Sequence, residues 1–127
     1  MTVCLDSWAI LRWLEGVEPA GGWVEAELPD RPVMSWINLG EVSYVVERLA
    51  GPSHASRVVR DLRGRLRLEL PSAERVLGAA SIKAKYALAY ADAFAIATAI
   101  ANGLPLATGD PQILEASGGW DLVDLRA

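Results

Sequence analysis

Hydrophobic and polar residues follow a helical spacing over much of the chain. In the segment 37–50, apolar side chains recur every three or four positions, and Gly51 and Pro52 end the pattern. The segment 92–101 is apolar almost all the way round, which predicts a buried helix whose alanines lie close against a sheet. From such patterns we predict helices over residues 7–15, 23–28, 37–50, 55–63, 72–86 and 92–101.

Short apolar runs alternate with these helices. One run, with leucines at every second position from 66 to 70, has strand periodicity, and the others are continuous and predict buried strands. Buried strands that alternate with helices are typical of a parallel sheet with helices on both faces. We therefore predict one α/β domain over residues 1–127, with a sheet of four or five strands, at residues 2–5, 32–34, 66–70, 104–107 and 122–125.

Four acidic residues stand at positions that this fold would bring to one edge of the sheet. Asp6 directly follows the first predicted strand, and Asp110 lies in the turn after the strand 104–107. Glu41 lies in the first turns of the helix that follows the second strand, and Asp92 begins the most apolar helix. Ligands of parallel α/β sheets bind at the carboxyl ends of the strands. We expect the four carboxylates to meet there.

Neighbouring carboxylates repel one another and raise each other's pKa unless a cation lies among them. Mg²⁺ or Mn²⁺ suits such a site, because hard divalent ions prefer oxygen ligands and keep several waters. An ion held in this way lowers the pKa of its bound water and neutralises charge on a phosphodiester. The acids therefore predict metal-dependent hydrolysis of phosphodiester bonds.

Each of these acids also has a purely structural alternative. Asp6 and Asp92 could cap the N-termini of helices, Asp110 could serve its turn, and Glu41 could be a solvated glutamate of its helix. Two other functions stay open as well. A phosphatase with Asp6 as nucleophile usually needs a second acid two positions later, where this chain has Trp8. A catalytically silent binding module with the same fold is the other.

The charge of the chain is unevenly distributed. The sequence has 12 basic and 16 acidic residues, for a net charge of −4, yet the segment 48–67 holds six arginines and one acid. Arg57 and Arg60 are three positions apart and share a helix face, and Arg63 follows them. We predict that these arginines contact RNA phosphates beside the acidic site. The alternatives are a solvated face, or pairing with acids of a partner chain.

The composition is that of an ordinary globular domain, with 52% hydrophobic and 22% charged residues. The single cysteine, Cys4, cannot form an internal disulfide and is expected to be a small buried residue. The N-terminus does not have the pattern of a signal peptide. The longest apolar-rich window, residues 86–100, contains Asp92 and is too short to span a membrane. We expect a cytoplasmic protein.

Four sequence fragments together resemble the PIN-domain nucleases, and especially the toxin subunits of bacterial and archaeal VapBC toxin–antitoxin pairs. The fragments are VCLDS, INLGEV, ADAFAIA and ATGDP, at residues 3–7, 37–42, 91–97 and 107–111. The resemblance covers essentially the whole chain and implies a PIN-like three-layer α/β/α fold. It implies an endoribonuclease that uses Mg²⁺ or Mn²⁺ and forms a homodimer. It also implies a VapB-like antitoxin that occupies the active-site groove.

The resemblance also implies roles for individual residues. Asp6, Glu41, Asp92 and Asp110 match the metal-site acids of the family. Positions that often carry a hydroxyl beside those acids are matched by Ser7 and Thr108, of which we include Thr108 among the catalytic residues.

Overall fold

The computed structural model describes residues 2–116 and 118–126. Five strands in these residues form one sheet in the order β3-β2-β1-β4-β5, and all four neighbouring pairs are parallel. This confirms the predicted parallel sheet. The strands are β1 (Cys4–Leu5), β2 (Val33–Ser35), β3 (Arg67–Glu69), β4 (Leu106–Thr108) and β5 (Leu122–Asp124).

Helices connect the strands and pack largely as consecutive pairs, α1 with α2, α3 with α4, and α5 with α6. A short 3₁₀ turn, Leu28–Asp30, leads from α2 to β2. The helices are α1 (Ser7–Glu15), α2 (Ala20–Glu27), α3 (Trp36–Ala50), α4 (Pro52–Arg65), α5 (Ala73–Lys85), α6 (Tyr90–Ala101) and α7 (Pro111–Glu115).

Alternate residues of the central strands enter two different hydrophobic cores. Leu5 and Met34 pack in a cluster with residues of α1, α2, α3 and α4. Cys4 and Val33 pack on the opposite face with residues of α6 and α7. Because successive side chains of a strand point to opposite faces, the sheet is the middle layer of an α/β/α arrangement. The predicted three-layer fold is confirmed, and Cys4 is fully buried as expected.

Several predicted boundaries were wrong for identifiable physical reasons. Helix α6 begins at Tyr90 and not at Asp92. Its N-cap, Ala89, has no capping side chain, so the sequence carries no signal for this helix start. Helix α4 begins at Pro52, where the missing N–H of proline costs no hydrogen bond, and not at residue 55. The short α7, Pro111–Glu115, was not predicted, since the predicted turn ends at Pro111. No described helix is both long enough and apolar enough to cross a membrane.

Candidate active site

The strand ends and first helical turns bring the candidate acids to the carboxyl edge of the sheet. Asp6 follows β1 and caps α1, and Asp110 follows β4 and caps α7. Glu41 lies in the second turn of α3, which follows β2 directly. Asp92 is the third residue of α6, which packs against both β2 and α3. The four acids therefore lie at the starts of four different helices.

Asp6 is the most buried of these acids, with only 2% of the residue exposed. Its Oδ1 atom accepts a hydrogen bond of 2.9 Å from the Ala9 N–H, and Oδ2 accepts one from the Thr108 hydroxyl. Burial raises the pKa of Asp6 to about 7, although these hydrogen bonds lower it; the charges of Asp92 and Asp110 raise it further. The Asp6 side chain therefore both caps α1 and belongs to the group of acids.

Asp92 is also buried, with 6% of the residue exposed. Asp92 is not the N-cap of its helix, since Ala89 holds that position, although the Asp92 carboxylate accepts a hydrogen bond from the Ala89 backbone N–H. Burial raises the pKa of Asp92 to about 6, and the charges of Asp110 and Glu41 add to this effect. Through Asp92 and Asp6, all four acids are therefore electrostatically connected.

Glu41 is half-buried and is not a freely solvated helix residue. Its Oε1 atom accepts a hydrogen bond from the hydroxyl of Ser7, which is itself buried. Ser7 is the first residue of α1, so this bond joins the first turn of α1 to the second turn of α3.

Thr108 connects Asp6 with the turn that carries Asp110. Its hydroxyl donates to Asp6 and accepts a hydrogen bond of 3.0 Å from the Asp110 N–H. The Oδ1 atom of Asp110 accepts in turn from the Gln112 N–H, at 2.9 Å, and so caps α7. Asp110 therefore has the predicted structural role as the cap of α7. Its charge also acts on Asp6 and Asp92.

One buried polar residue near the acids was not predicted. Asn38 is fully buried on α3, and its Nδ2 atom donates to the Ala91 carbonyl oxygen at 2.9 Å, next to Asp92. Its Oδ1 atom is buried and has no hydrogen-bond partner among the described residues. The sequence carried a signal, because Asn38 is a polar residue four positions before Val42 on the apolar stripe of α3.

One protein-family model matches nearly the whole chain. Residues 3–119 match the family model of the PIN domain. The chain belongs to the PIN domain family. No curated protein sequence matches it.

Solved structures with the fold of this PIN domain include several toxin–antitoxin proteins. DNA-bound VapBC from Salmonella typhimurium is similar with a TM-score of 0.78 and 21% identity over 98% of each chain. VapC20 from Mycobacterium tuberculosis, a sarcin–ricin loop cleaving toxin, is similar with a TM-score of 0.77 and 18% identity, over 97% of this chain and 99% of that one. VapBC-1 from nontypeable Haemophilus influenzae has a TM-score of 0.76 and 18% identity over all of both chains. At these identities the likeness establishes the fold.

The donor set of this PIN domain consists of oxygen atoms, which suits a hard divalent cation. The raised pKa values of Asp6 and Asp92 reflect burial and mutual repulsion, and a cation would offset the repulsion. Within residues 2–116 and 118–126, no three acidic, histidine or cysteine side chains form a preassembled metal cluster.

The candidate arginines lie on α4, the helix that packs against α3. Arg60 and Arg63 of α4 line an open cleft of about 510 Å³ with Glu47 of α3, and the described lining includes none of the four acids. Arg57 is exposed one turn earlier on α4. Their contact with RNA stays a prediction.

Proposed function

We propose that this PIN domain is a metal-dependent endoribonuclease and the toxin of a type II toxin–antitoxin pair. One observation carries the proposal: four carboxylates from four elements form a single electrostatic group at the carboxyl edge of a parallel sheet, and two of them, Asp6 and Asp92, are buried with raised pKa values. Buried like charges are costly, so their retention at one place favours a function that uses them.

The chemistry follows from the residues around the acids. Asp6, Glu41, Asp92 and Asp110 would hold Mg²⁺ or Mn²⁺, which supplies an activated water and neutralises charge on the scissile phosphodiester. Thr108 orients Asp6, because its hydroxyl is fixed by the Asp110 N–H and donates to the carboxylate. The Ser7 hydroxyl donates to Glu41 and orients its carboxylate. These hydroxyls hold the carboxylates in place before substrate arrives.

The basic surface of α4 would bind the RNA backbone. Arg57, Arg60 and Arg63 are exposed, and none of them has an ion pair among the described residues. Phosphate contacts of this kind position a nucleic acid without reading its sequence. They would also compensate for the net negative charge of the chain.

The proposed partners are a VapB-like antitoxin and a second copy of this chain. Support for the antitoxin comes from the fold, which is shared with proteins solved as VapBC complexes. The homodimer is proposed from membership of the PIN domain family.

The decisive experiment measures cleavage of a structured RNA by the purified chain in Mg²⁺, Mn²⁺ or EDTA. We expect cleavage with either metal and none in EDTA. Asp92→Asn should reduce the rate by at least about a hundredfold, because one of the carboxylates that would hold the metal is lost. Its melting temperature in EDTA should equal or exceed that of the parent, because a repelling buried charge has been removed.

The matched control is Asp121→Asn, which neutralises an exposed acid before β5 and should leave the rate unchanged. Cleavage that persists in EDTA, or an Asp92→Asn variant as active as the parent, would contradict the proposal. Turnover of a phosphomonoester without cleavage of RNA would instead identify a phosphatase.

A further inference from the structure

The indole ring of Trp8 lies directly against the backbone of Gly109. A Cβ atom added at Gly109 would stand 2.5 Å from Cζ3 of the ring and closer still to Cη2 and Cζ2. Carbon atoms in normal contact are about 3.5–4 Å apart, so no side chain fits between this backbone and the ring. Trp8 is half-buried and packs on the core formed by α1 to α4.

Gly109 is required at this position for space and not for its backbone conformation. The glycines with positive φ among the described residues are Gly16, Gly51, Gly103 and Gly119, and Gly109 is not one of them. An alanine could therefore adopt the backbone angles of Gly109 without strain. The atoms nearest to a Cβ added at Gly109 all belong to the Trp8 ring.

The turn that contains Gly109 carries two candidate site residues. Thr108 precedes it and donates to Asp6, and Asp110 follows it and donates its N–H to Thr108. The ring therefore contacts the backbone between the two residues. The three consecutive residues 6–8 each contact a different part of the site: Asp6 contacts Thr108, Ser7 contacts Glu41, and Trp8 contacts Gly109.

A second contact restrains the Trp8 ring. The guanidinium carbon of Arg12 lies 4.6 Å from the ring centroid, one helical turn further along α1. The Arg12 guanidinium also pairs with Glu15, with Nη1 and Oε1 3.1 Å apart. The Trp8 ring is therefore contacted by Arg12 of α1, by the core formed by α1 to α4 and by the turn at Gly109.

We propose that Trp8 is a positioning residue, which clamps the turn of residues 108–110 at Gly109 and thereby holds Thr108 and Asp110 in register with Asp6. This inference rests on the proposed function for its effect on catalysis. The contact itself does not depend on that function.

The test is a double-mutant cycle with Gly109→Ala, Trp8→Leu and the combined variant, each assayed for kcat and KM on RNA in Mg²⁺. In the parent background, Gly109→Ala should lower kcat by roughly tenfold to a hundredfold, because the methyl group displaces the turn, while KM changes little. In the Trp8→Leu background the same change should alter kcat by less than about twofold, because the ring that excludes the methyl group is gone.

Two control variants separate positioning from general destabilisation. Gly78→Ala adds a methyl group in open space on α5 and should leave kcat unchanged. Trp8→Leu should lower kcat, because the turn is no longer held at Gly109. Trp23→Leu removes an indole from the same core on α2 and should lower the melting temperature while kcat stays close to that of the parent. An equal loss of kcat from Gly109→Ala in both backgrounds would overturn the proposal, as would parental kcat in the single Gly109→Ala variant.

Exchange of the Asp110 amide hydrogen, followed by NMR, tests the clamp without any assay of activity. This N–H is bonded to Thr108, and Trp8→Leu should accelerate its exchange by about tenfold or more relative to Trp23→Leu. If the parent cleaves no RNA, the proposed function fails while this measurement still decides the clamp. Unchanged exchange in Trp8→Leu would refute the clamp whatever the parent cleaves.

Discussion

The hydroxyl of a single residue, Thr108, has a direct effect on the ionisation of Asp6. Burial raises the pKa of Asp6, and the hydrogen bond from Thr108 is the strongest effect that lowers it. The direction of this bond is defined, because the Thr108 oxygen already accepts from the Asp110 N–H and its proton is free to point at the carboxylate. Thr108 therefore favours the ionised form of Asp6, which is the form that binds a metal.

Thr108→Val should shift the acid limb of the pH–rate profile to higher pH, by about one unit. Valine keeps the shape of threonine but cannot donate, so the pKa of Asp6 rises above about 7 and less carboxylate is available at neutral pH. The measurement is kcat/KM on RNA between pH 5 and pH 9. Thr98→Val is the control, since Thr98 is equally buried but donates to the Phe94 carbonyl within α6. An acid limb that stays in place in Thr108→Val would refute this role.

The resemblance to PIN-domain nucleases implied that the Ser7 and Thr108 hydroxyls lie beside the acids, but not which carboxylate each hydroxyl contacts. The sequence placed Asp6 and Thr108 each at the end of a strand, but they are 102 positions apart, and no periodicity reports which atoms meet. Asn38 is a different case, because a polar residue on an apolar helical stripe can be noticed in the sequence. Its partner, the Ala91 carbonyl, becomes evident only once α3 and α6 are packed together.

At the scale of elements, the long helices and buried strands were predictable because burial dictates their periodicity. The spacing of apolar residues predicted α3 to within one residue at its start, and continuous apolar runs predicted the inner strands. Helix α6 was predicted two residues late, because Asp92 is a favoured capping residue and Ala89 is not. Helix α7 has only five residues, which is too short for a periodic pattern.

The α7 cap allows the structural and functional roles of Asp110 to be separated. Asp110→Ala removes both the cap and the charge, whereas Asp110→Ser removes the charge but keeps an oxygen for the Gln112 N–H. We expect the alanine variant to be less stable than the serine variant by about 1 kcal/mol, measured by chemical denaturation. Both variants should lose most of their RNA cleavage. Parental cleavage by Asp110→Ser would show that Asp110 is a cap and nothing more.

At the scale of the whole molecule, two hydrophobic cores must stabilise a sheet edge that carries mutually repelling acids. Asp6 and Asp92 are buried beside residues of those cores, and neither has an ion pair among the described residues. The metal-free fold therefore carries an electrostatic cost at neutral pH. That cost should be removed either by protons or by a divalent cation.

The metal-free protein should consequently be more stable at pH 5 than at pH 8. The pKa values of Asp6 and Asp92, about 7 and about 6, lie above their ordinary value of 3.8, so the folded state binds protons more tightly than the unfolded state. Stability is then greatest at low pH and falls as the pH rises from about 4 to about 7.

The carboxylates with lowered pKa values do not obscure this comparison between pH 5 and pH 8. Arg75 lowers the pKa of Glu69 and Arg126 lowers that of Asp124, so both groups titrate below their ordinary values of 4.5 and 3.8. In EDTA, the melting temperature should drop by several degrees between pH 5 and pH 8, and Asp6→Asn should reduce this drop. Mn²⁺ should raise the melting temperature more at pH 8 than at pH 5, because it competes with protons for the same oxygens. A melting temperature in EDTA that is flat or rises over this interval would mean that the acids at the sheet edge do not interact in the folded state as described.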